Sequence, residues 1–315
     1  MGAAVVAERV GRDYGSVCAV SDLSFEVAPG DVVGVLGRNG AGKTTSIRVL
    51  TTIVAPTRGR FAVAGVPHTR PDQIRRRIGV LPEGGGYPGR QTGEEHLVYH
   101  ARLHGASRAS ARAATAALLE EFGLADRART PLHAYSLGMR RRLGIARALV
   151  NDPAVVFLDE PTLGLDPAGR RVVLDHVRAV AAGRGAAVLL STHLLDDVEA
   201  CCTRVLILHH GRTVAAGTVA EVVRLAAAPR SAVVRVAPDD ARRAVAVLAG
   251  APGVGPVEVA PDRPGELRVD LASGNGAADP GAALRALLDA GIAPLGLTVE
   301  GARLSDAFLE MTGTT

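Results

Sequence analysis

Short apolar runs alternate with longer amphipathic stretches along most of the chain. Four runs have the length of a buried strand: residues 32–36, 78–81, 155–158 and 187–190. The intervening stretches repeat apolar positions every three or four residues, which predicts helices at 43–52, 94–104, 108–122, 138–150 and 168–182. Buried strands separated by helices predict an α/β fold, with a largely parallel sheet that helices cover on both faces.

Two further segments extend this pattern. Residues 4–27 alternate like antiparallel strands and predict a side sheet. Beyond residues 226–230, the pattern predicts strand 232–236, helix 239–248, strands 257–259 and 267–271, helix 281–290, strand 295–299 and a last helix at 304–311. The β-α-β-β-α-β order is that of a ferredoxin-like α+β unit. We therefore predict two domains, residues 1–228 and 229–315.

Lysine occurs once in this chain, as Lys43, among 36 lysines and arginines. It belongs to Gly-Arg-Asn-Gly-Ala-Gly-Lys-Thr at 37–44, a complete G-x-x-x-x-G-K-[ST] phosphate loop between a predicted strand and a predicted helix. In such a loop, backbone N–H groups hold phosphates, the lysine contacts the β- and γ-phosphate oxygens, and the Thr44 hydroxyl binds Mg²⁺. The wide planar fork of arginine would not fit the lysine's role. A chance glycine-rich turn beside a surface lysine is the alternative.

A second strand end carries two carboxylates. The apolar run at 155–158 leads directly into Asp159 and Glu160, about 115 residues after the phosphate loop. Asp159 is placed to hold Mg²⁺, usually through water. Glu160 is placed to polarise an attacking water as a general base. The alternative is a solvated acidic strand end.

Composition narrows the possible functions. Aromatic residues make up only 3% of the chain, and the arginine runs at 75–77 and 140–142 are short, so we expect solvated or helix-terminal faces and no nucleic-acid partner. Cys201 and Cys202 give no disulfide framework and no metal spacing; we expect reduced, packed thiols, as in a cytosolic protein. We see no signal-peptide pattern and no apolar stretch of membrane-spanning length, so we expect a soluble chain that contacts a membrane only through a partner.

The motifs resemble those of the ATP-binding cassette (ABC) ATPases over about residues 5–225. The resemblance implies a P-loop NTPase domain with an antiparallel side sheet and a helical subdomain. Residues 159–167 are similar to the family's Walker B and D-loop segments, and residues 190–193 to its switch-histidine strand. The resemblance implies that His193 contacts the γ-phosphate, that Tyr14 stacks on adenine, and that Asp166 belongs to the nucleotide site. A structural histidine and a turn tyrosine are the alternatives. The resemblance also implies ATP and Mg²⁺ as cofactors, with the nucleotide bound by Gly37, Arg38, Asn39, Gly40, Ala41, Gly42, Lys43, Thr44 and Thr45.

Two positions depart from the family pattern. The signature Leu-Ser-Gly-Gly-Gln is Tyr-Ser-Leu-Gly-Met at 135–139, which keeps Ser136 and Gly138 but places Leu137 where backbone must approach a phosphate. Ser136 and the start of the next helix can still offer a hydroxyl and N–H groups to a γ-phosphate. Glu83 stands where many members have glutamine. It can accept a hydrogen bond from water or ligate Mg²⁺, but it adds negative charge beside the metal.

These departures, the second domain and the C-terminal helix resemble the ATPase subunits that pair with ABC-2-type membrane permeases, such as daunorubicin-exporter and sodium-exporter ATPases. The resemblance implies an exporter ATPase at the cytoplasmic face of a bacterial membrane. It would be a homodimer that holds each ATP between the phosphate loop of one subunit and Ser136 and Gly138 of the other. The alternatives are a non-transport ABC ATPase, a non-enzymatic nucleotide-binding scaffold and a small-molecule kinase.

Overall fold

The computed structural model of the chain describes residues 2–225, 230–260, 263–271, 280–300 and 304–313. The chain forms two compact units, Met1–Val219 and Ala220–Thr315. The assignment of residues 1–228 and 229–315 to two functional domains stays a prediction.

The first unit contains one large sheet and the helices that cover it. Its strands are β1 (Val5–Tyr14), β2 (Val17–Val27), β3 (Val32–Leu36), β4 (Arg58–Val63), β5 (Val66–Pro67), β6 (Ile78–Leu81), β7 (Val155–Asp159), β8 (Ala187–Thr192), β9 (Arg204–His209) and β10 (Arg212–Thr218). Its helices are α1 (Lys43–Leu50), α2 (Pro71–Arg75), α3 (Gly93–Leu103), α4 (Arg108–Glu121), α5 (Leu137–Ala148), α6 (Pro167–Arg184) and α7 (Leu195–Cys201), while α8 (Val219–Leu225) begins at its last residue.

The strand order in this sheet is β5-β4-β1-β2-β10-β9-β3-β8-β7-β6. Strands β9, β3, β8, β7 and β6 are parallel to one another, whereas β5, β4, β1 and β2 pair in antiparallel fashion. One parallel residue pair, Arg212 with Asp22, joins β10 to β2. The predicted parallel sheet and antiparallel side sheet are therefore confirmed. The hairpin β9–β10 was absent from the sequence prediction.

The central strands are buried on both faces, which explains why they read as continuous apolar runs. In β7, Val156 and Leu158 pack into a core with α4, α5 and α6, while Val155 and Phe157 pack into a second core with α1 on the other face. Two hydrophobic cores on opposite sides hold β7 rigidly, so the acidic residues at its end have a fixed position.

Helices α3, α4 and α5 form the predicted helical subdomain of this unit. Each begins at a hydroxyl residue whose side chain accepts a backbone N–H bond: Thr92, Ser107 and Ser136. At Thr92 the cap is reciprocal, because the Glu95 carboxylate accepts the Thr92 backbone N–H at 2.9 Å. Such side-chain caps satisfy backbone donors that have no partner inside the helix.

The second unit has the predicted ferredoxin-like order. Its elements are β11 (Arg230–Arg235), α9 (Ala241–Ala249), β12 (Val254–Val259), β13 (Glu266–Leu271), α10 (Pro280–Asp289), β14 (Gly296–Glu300) and α11 (Leu304–Thr312). The antiparallel sheet has the order β12-β13-β11-β14. Leu248 of α9 and Leu287 of α10 join Val234 and Val269 of the sheet in one core.

None of the helices in the described parts of the chain is both long and apolar enough to cross a membrane. The cysteines at 18, 201 and 202 are free, and Cys201 is buried, as expected for a packed thiol. Cys18 is exposed.

Candidate nucleotide site

The phosphate loop connects the end of β3 to the start of α1. Gly40 and Gly42 have positive φ angles of 83° and 100°, a conformation that glycine adopts without strain. A Cβ on Gly42 would also lie 2.7 Å from the carbonyl oxygen of Ala19, so a side chain does not fit there. The loop thereby turns tightly around the N-terminus of α1, where backbone N–H groups and the helix dipole favour an anion.

The Lys43 ammonium group is folded back over this loop. Its Nζ donates a hydrogen bond to the carbonyl oxygen of Gly37 at 2.7 Å and lies 3.4 Å from that of Arg38. The same Nζ lies 3.4 Å from Oε1 of Glu160, and Lys43 is only 7% exposed. The ammonium is therefore held beside the phosphate-binding backbone, as the motif predicts.

Asp159 lies at the end of β7, opposite the first turn of α1. Its Oδ1 accepts a hydrogen bond from Thr44 Oγ1 at 3.2 Å and another from Ser191 Oγ of β8 at 2.6 Å. Ser191 Oγ also accepts the backbone N–H of Glu160 at 2.9 Å. Ser191 therefore aligns both carboxylate residues, a role that the sequence motif does not reveal.

Glu160 and His193 form the other half of the site. His193 Nδ1 lies 3.0 Å from Oε2 of Glu160, within hydrogen-bond distance. Glu160 has a φ of 48°, in the left-handed region that is unfavourable for a residue with a long side chain. This backbone turn follows β7 directly and directs the buried carboxylate between Lys43 and His193. The three residues predicted to be catalytic are thus in one cluster.

A cavity of about 400 Å³ opens over the phosphate loop. Its walls include Arg38, Asn39, Gly40, Gly42, Lys43, Thr44, Thr45, Glu83 and Glu160. This volume falls in the usual range for a small-ligand site. The hydroxyl of Thr44 and the carboxylate of Asp159 are adjacent hard oxygen donors, which suit Mg²⁺. Glu83 is exposed and lines the same cavity, so its predicted access to the metal fits this arrangement.

Three of the predicted nucleotide residues, Ser136, Gly138 and Asp166, do not line this cavity. Ser136 caps α5, with its Oγ accepting the Met139 N–H at 3.2 Å, and Asp166 caps α6, with its Oδ1 accepting the Gly169 N–H at 2.9 Å. These two helix starts are neighbours. Leu137 directly follows Ser136, Gly164 precedes Asp166 by two residues, and a Cβ on Gly164 would lie 3.0 Å from Cδ2 of Leu137. Ser136, Gly138 and Asp166 therefore belong to a second surface, which we call the signature surface.

Tyr14 lies at the end of β1, where it pairs with Val17, a residue of the cavity wall. The Arg12 guanidinium lies over the Tyr14 ring, 4.6 Å from its centroid. Tyr14 is partly exposed and is not itself part of the wall. Its contact with adenine stays a prediction.

The arginine run at 140–142, predicted to form a solvated or helix-terminal face, lies near the start of α5 and contains one buried member. Arg141 is only 8% exposed. Its Nη1 donates to the carbonyl oxygen of Glu83 at 3.0 Å, and its Nη2 lies 3.5 Å from that of Leu163. Consecutive helix residues are rotated by about 100°, so three arginines in a row cannot share one face. That periodicity is the signal that the run contains an inward-facing member.

Comparison with known proteins agrees with this geometry. The family model described as ABC transporter matches residues 20–163. The chain is 39% identical over 318 residues to a daunorubicin resistance ATP-binding protein of Streptomyces coeruleorubidus, an alignment that covers 98% of this chain and 96% of that protein. The chain belongs to the ABC transporter family. It is an ATP-binding subunit with the site of an ATPase.

Other relatives and solved structures extend the similarity. A Nod factor export ATP-binding protein of Paraburkholderia xenovorans is 42% identical over 216 residues, which are 68% of this chain and 71% of that protein. A solved ATP-binding subunit of an ABC transporter has a TM-score of 0.64 and 33% identity, over 70% of this chain and 92% of that one. A dimeric bacterial ABC transporter cassette, 21% identical with a TM-score of 0.63 over 68% of this chain and 98% of that one, has the same fold.

Proposed function

We propose that this ABC ATPase is the energy-supplying subunit of an exporter, and that two copies hold two Mg-ATP between them to drive a separate ABC-2-type membrane permease. One observation carries this proposal. The phosphate loop and Glu160 share one cavity, and His193 contacts Glu160, whereas Ser136 and Gly138 lie on the separate signature surface. A two-fold dimer in which each signature surface faces the other subunit's cavity would complete both sites at once.

In the proposed reaction, water attacks the γ-phosphate of ATP in line with the leaving ADP oxygen. Glu160 accepts the proton of that water, since its carboxylate is buried beside the loop. Lys43 and His193 donate hydrogen bonds to the γ-phosphate oxygens, where negative charge increases in the transition state. Mg²⁺, held by Thr44 and Asp159, supplies further positive charge there when bound. After hydrolysis, ADP and phosphate hold the two subunits together less strongly than ATP does.

Export is proposed from the relatives, which include a daunorubicin resistance protein and a Nod factor export protein. A permease contact near residues 83–95 is supported by a surface feature. An open groove begins at Thr92, Glu94 and Glu95 and continues along α3 to Tyr99 and Leu103, which are more than half exposed. Exposed apolar side chains beside charged ones are typical of a protein interface. A permease contact there would hold the proposed subunit at the cytoplasmic face of the membrane.

The alternatives account for less. A nucleotide-binding scaffold would not need Glu160, His193 and Lys43 in hydrogen-bonding reach of one another. A small-molecule kinase would not need the signature surface. A non-transport ABC ATPase shares the site, so only a transport measurement separates it from the exporter.

The decisive variant is Glu160→Gln, which keeps the shape of the side chain and removes the base. We expect ATP binding to persist, hydrolysis to fall by at least about 100-fold, and a dimer to accumulate with Mg-ATP in size-exclusion chromatography. Glu199→Gln, an exposed glutamate on α7, is the matched control and retains full turnover. Unchanged hydrolysis in Glu160→Gln would remove Glu160 from the base role.

The transport half requires the membrane partner. We expect a reading frame with about six hydrophobic spans beside the gene, and export only from cells that carry both chains. Export that persists in cells producing the permease with Glu160→Gln would contradict the proposal.

A further inference from the structure

Asp197 is a fully buried carboxylate that the reaction described above does not use. It lies in the first turn of α7, is 0% exposed, and is within hydrogen-bond distance of three side chains outside that helix. A buried carboxylate is costly unless its oxygens are satisfied, so its partners show what this charge is retained for.

One oxygen of Asp197 holds the two chain segments that carry the proposed catalytic pair. Oδ2 accepts a hydrogen bond from Thr162 Oγ1 at 2.5 Å and lies 3.4 Å from Thr192 Oγ1. Thr162 follows Glu160 by two residues, and Thr192 directly precedes His193. The same Thr192 hydroxyl accepts the backbone N–H of Leu194 at 3.0 Å, which fixes the chain on the far side of His193.

The other oxygen holds the helix that begins at the signature surface. Oδ1 of Asp197 accepts from Nη2 of Arg170 at 2.6 Å and from Nε at 3.2 Å. Arg170 lies in the first turn of α6, which Asp166 caps. The carboxylate therefore connects the turn after Glu160, the turn at His193 and the start of α6 through a single side chain.

We propose that Asp197 is a positioning residue for ATP hydrolysis: it sets the Glu160 carboxylate and the His193 imidazole at hydrogen-bonding distance and ties both to the start of α6. This inference rests on the proposed role of Glu160 as base. Two segments that are more than thirty residues apart in sequence keep a 3.0 Å contact because one buried acceptor binds both of their threonine hydroxyls.

The direct test is Asp197→Asn, which preserves shape but cannot present an acceptor oxygen to both the threonines and Arg170. We expect kcat for ATP to fall about 10- to 100-fold, the range for misplacing a catalytic group by about 1 Å. The KM for ATP stays within about twofold, because the phosphate loop is untouched. Asp196→Asn removes the same charge from the exposed neighbouring position and keeps wild-type kcat.

Thr162 provides a conservative pair should Asp197→Asn fail to fold. Thr162→Val has the same shape without the hydroxyl and lowers kcat, whereas Thr162→Ser keeps the hydroxyl and restores it. Equal kcat for the two variants would overturn the proposal, because Thr162→Ser keeps the hydrogen bond to Asp197 and Thr162→Val loses it.

A double-mutant cycle separates positioning from general destabilisation. If Asp197 acts through Glu160, adding Asp197→Asn to Glu160→Gln lowers the residual single-turnover rate by less than about twofold. If Asp197→Asn lowered the rate in the Glu160→Gln background as much as it does in the wild type, Asp197 would not act through Glu160, and the positioning role would be wrong. If Glu160→Gln alone left turnover intact, the proposed function would fail first. Loss in Glu160→Gln with normal kcat in Asp197→Asn would reject only the positioning role.

Discussion

Nζ of Lys43 lies 3.4 Å from Oε1 of Glu160, so the phosphate-binding ammonium and the proposed base form a buried ion pair. The other carboxylate oxygen contacts His193. The ammonium of Lys43 and the carboxylate of Glu160 thus offset each other's charge, and His193 lies within hydrogen-bond distance of the same carboxylate. An incoming triphosphate would compete with Glu160 for Lys43 and leave the carboxylate available to a water molecule.

The single lysine allows a direct chemical test. An amine-selective reagent should modify only Lys43 and the chain's N-terminal amine. Since Lys43 is buried against Gly37 and Glu160, its labelling should be slow, and Mg-ATP should slow it further without affecting the N-terminus. Peptide mass spectrometry measures both sites, with the N-terminus as internal control. Intact ATP binding after complete modification of Lys43 would contradict its role.

Leu137 and Ser136 make a matched pair on the signature surface. Because Leu137 packs toward Gly164, we expect Leu137→Gly to leave the KM for ATP within about threefold while costing roughly 1 kcal/mol of stability. Ser136→Ala should cost about the same by removing the helix cap. Only Ser136→Ala should also weaken the ATP-dependent dimer of Glu160→Gln, measured by sedimentation. Weakening of that dimer by both variants to the same degree would show that stability alone explains it.

Arg141 and Arg142 allow the same type of comparison one residue apart. Arg141 binds carbonyl oxygens on either side of the site, at Glu83 and Leu163, whereas Nη1 of Arg142 binds those of Phe122 and Gly123 in the helical subdomain. Removing either charged donor should destabilise the protein by about 1.5–3 kcal/mol.

We expect Arg141→Gln to lower kcat roughly tenfold, because it loosens the segments on both sides of the site. Arg142→Gln should leave kcat within about twofold of the wild type, because the contacts of Arg142 lie in the helical subdomain and a twofold difference is ordinary experimental scatter. Steady-state kinetics below both melting temperatures checks this, and an equal kcat loss would reject a specific role for Arg141.

Burial of His96 should make the stability of the folded chain depend on pH. Its burial, with smaller contributions from His100 and Arg147, lowers its pKa from 6.5 to about 4. A depressed histidine pKa means that the unfolded chain takes up a proton before the folded chain does. Stability is therefore fully present above pH 6.5 and is lost as the pH falls toward 4.

His96→Gln can still donate to the Gln91 side chain, to which His96 Nδ1 lies at 3.2 Å, but it does not titrate. We expect the melting temperature of this variant to fall less than that of the wild type between about pH 7.5 and about pH 5. These two values bracket the upper part of the titration. His133→Gln, at an exposed histidine of the same subdomain, should leave that fall unchanged. An identical fall in wild type and His96→Gln would show that this histidine does not control acid stability.

Much of the fold and the core of the site follow from local sequence. The strands β3, β6, β7 and β8 were predictable because central parallel strands are buried on both faces and read as unbroken apolar runs. Lys43, Thr44, Asp159 and Glu160 were predictable because each directly follows such a strand or begins the helix after it. The ferredoxin-like order was readable from alternation alone, whereas the hairpin β9–β10 was missed.

The rest depends on contacts between residues that are distant in sequence. Charge predicted a solvated or helix-terminal face for residues 140–142, but tertiary packing buries Arg141 against two carbonyl oxygens. Nothing in the local pattern distinguishes buried Asp197 from exposed Asp196, its neighbour in a pair of aspartates. Sequence by itself determined the chemistry of the phosphate loop and the acidic strand end, because those functions reside in short contiguous segments. Only the tertiary structure decided which hydroxyls, arginines and buried carboxylate hold these segments in place, because a hydrogen bond acts over about 3 Å in space regardless of separation along the chain.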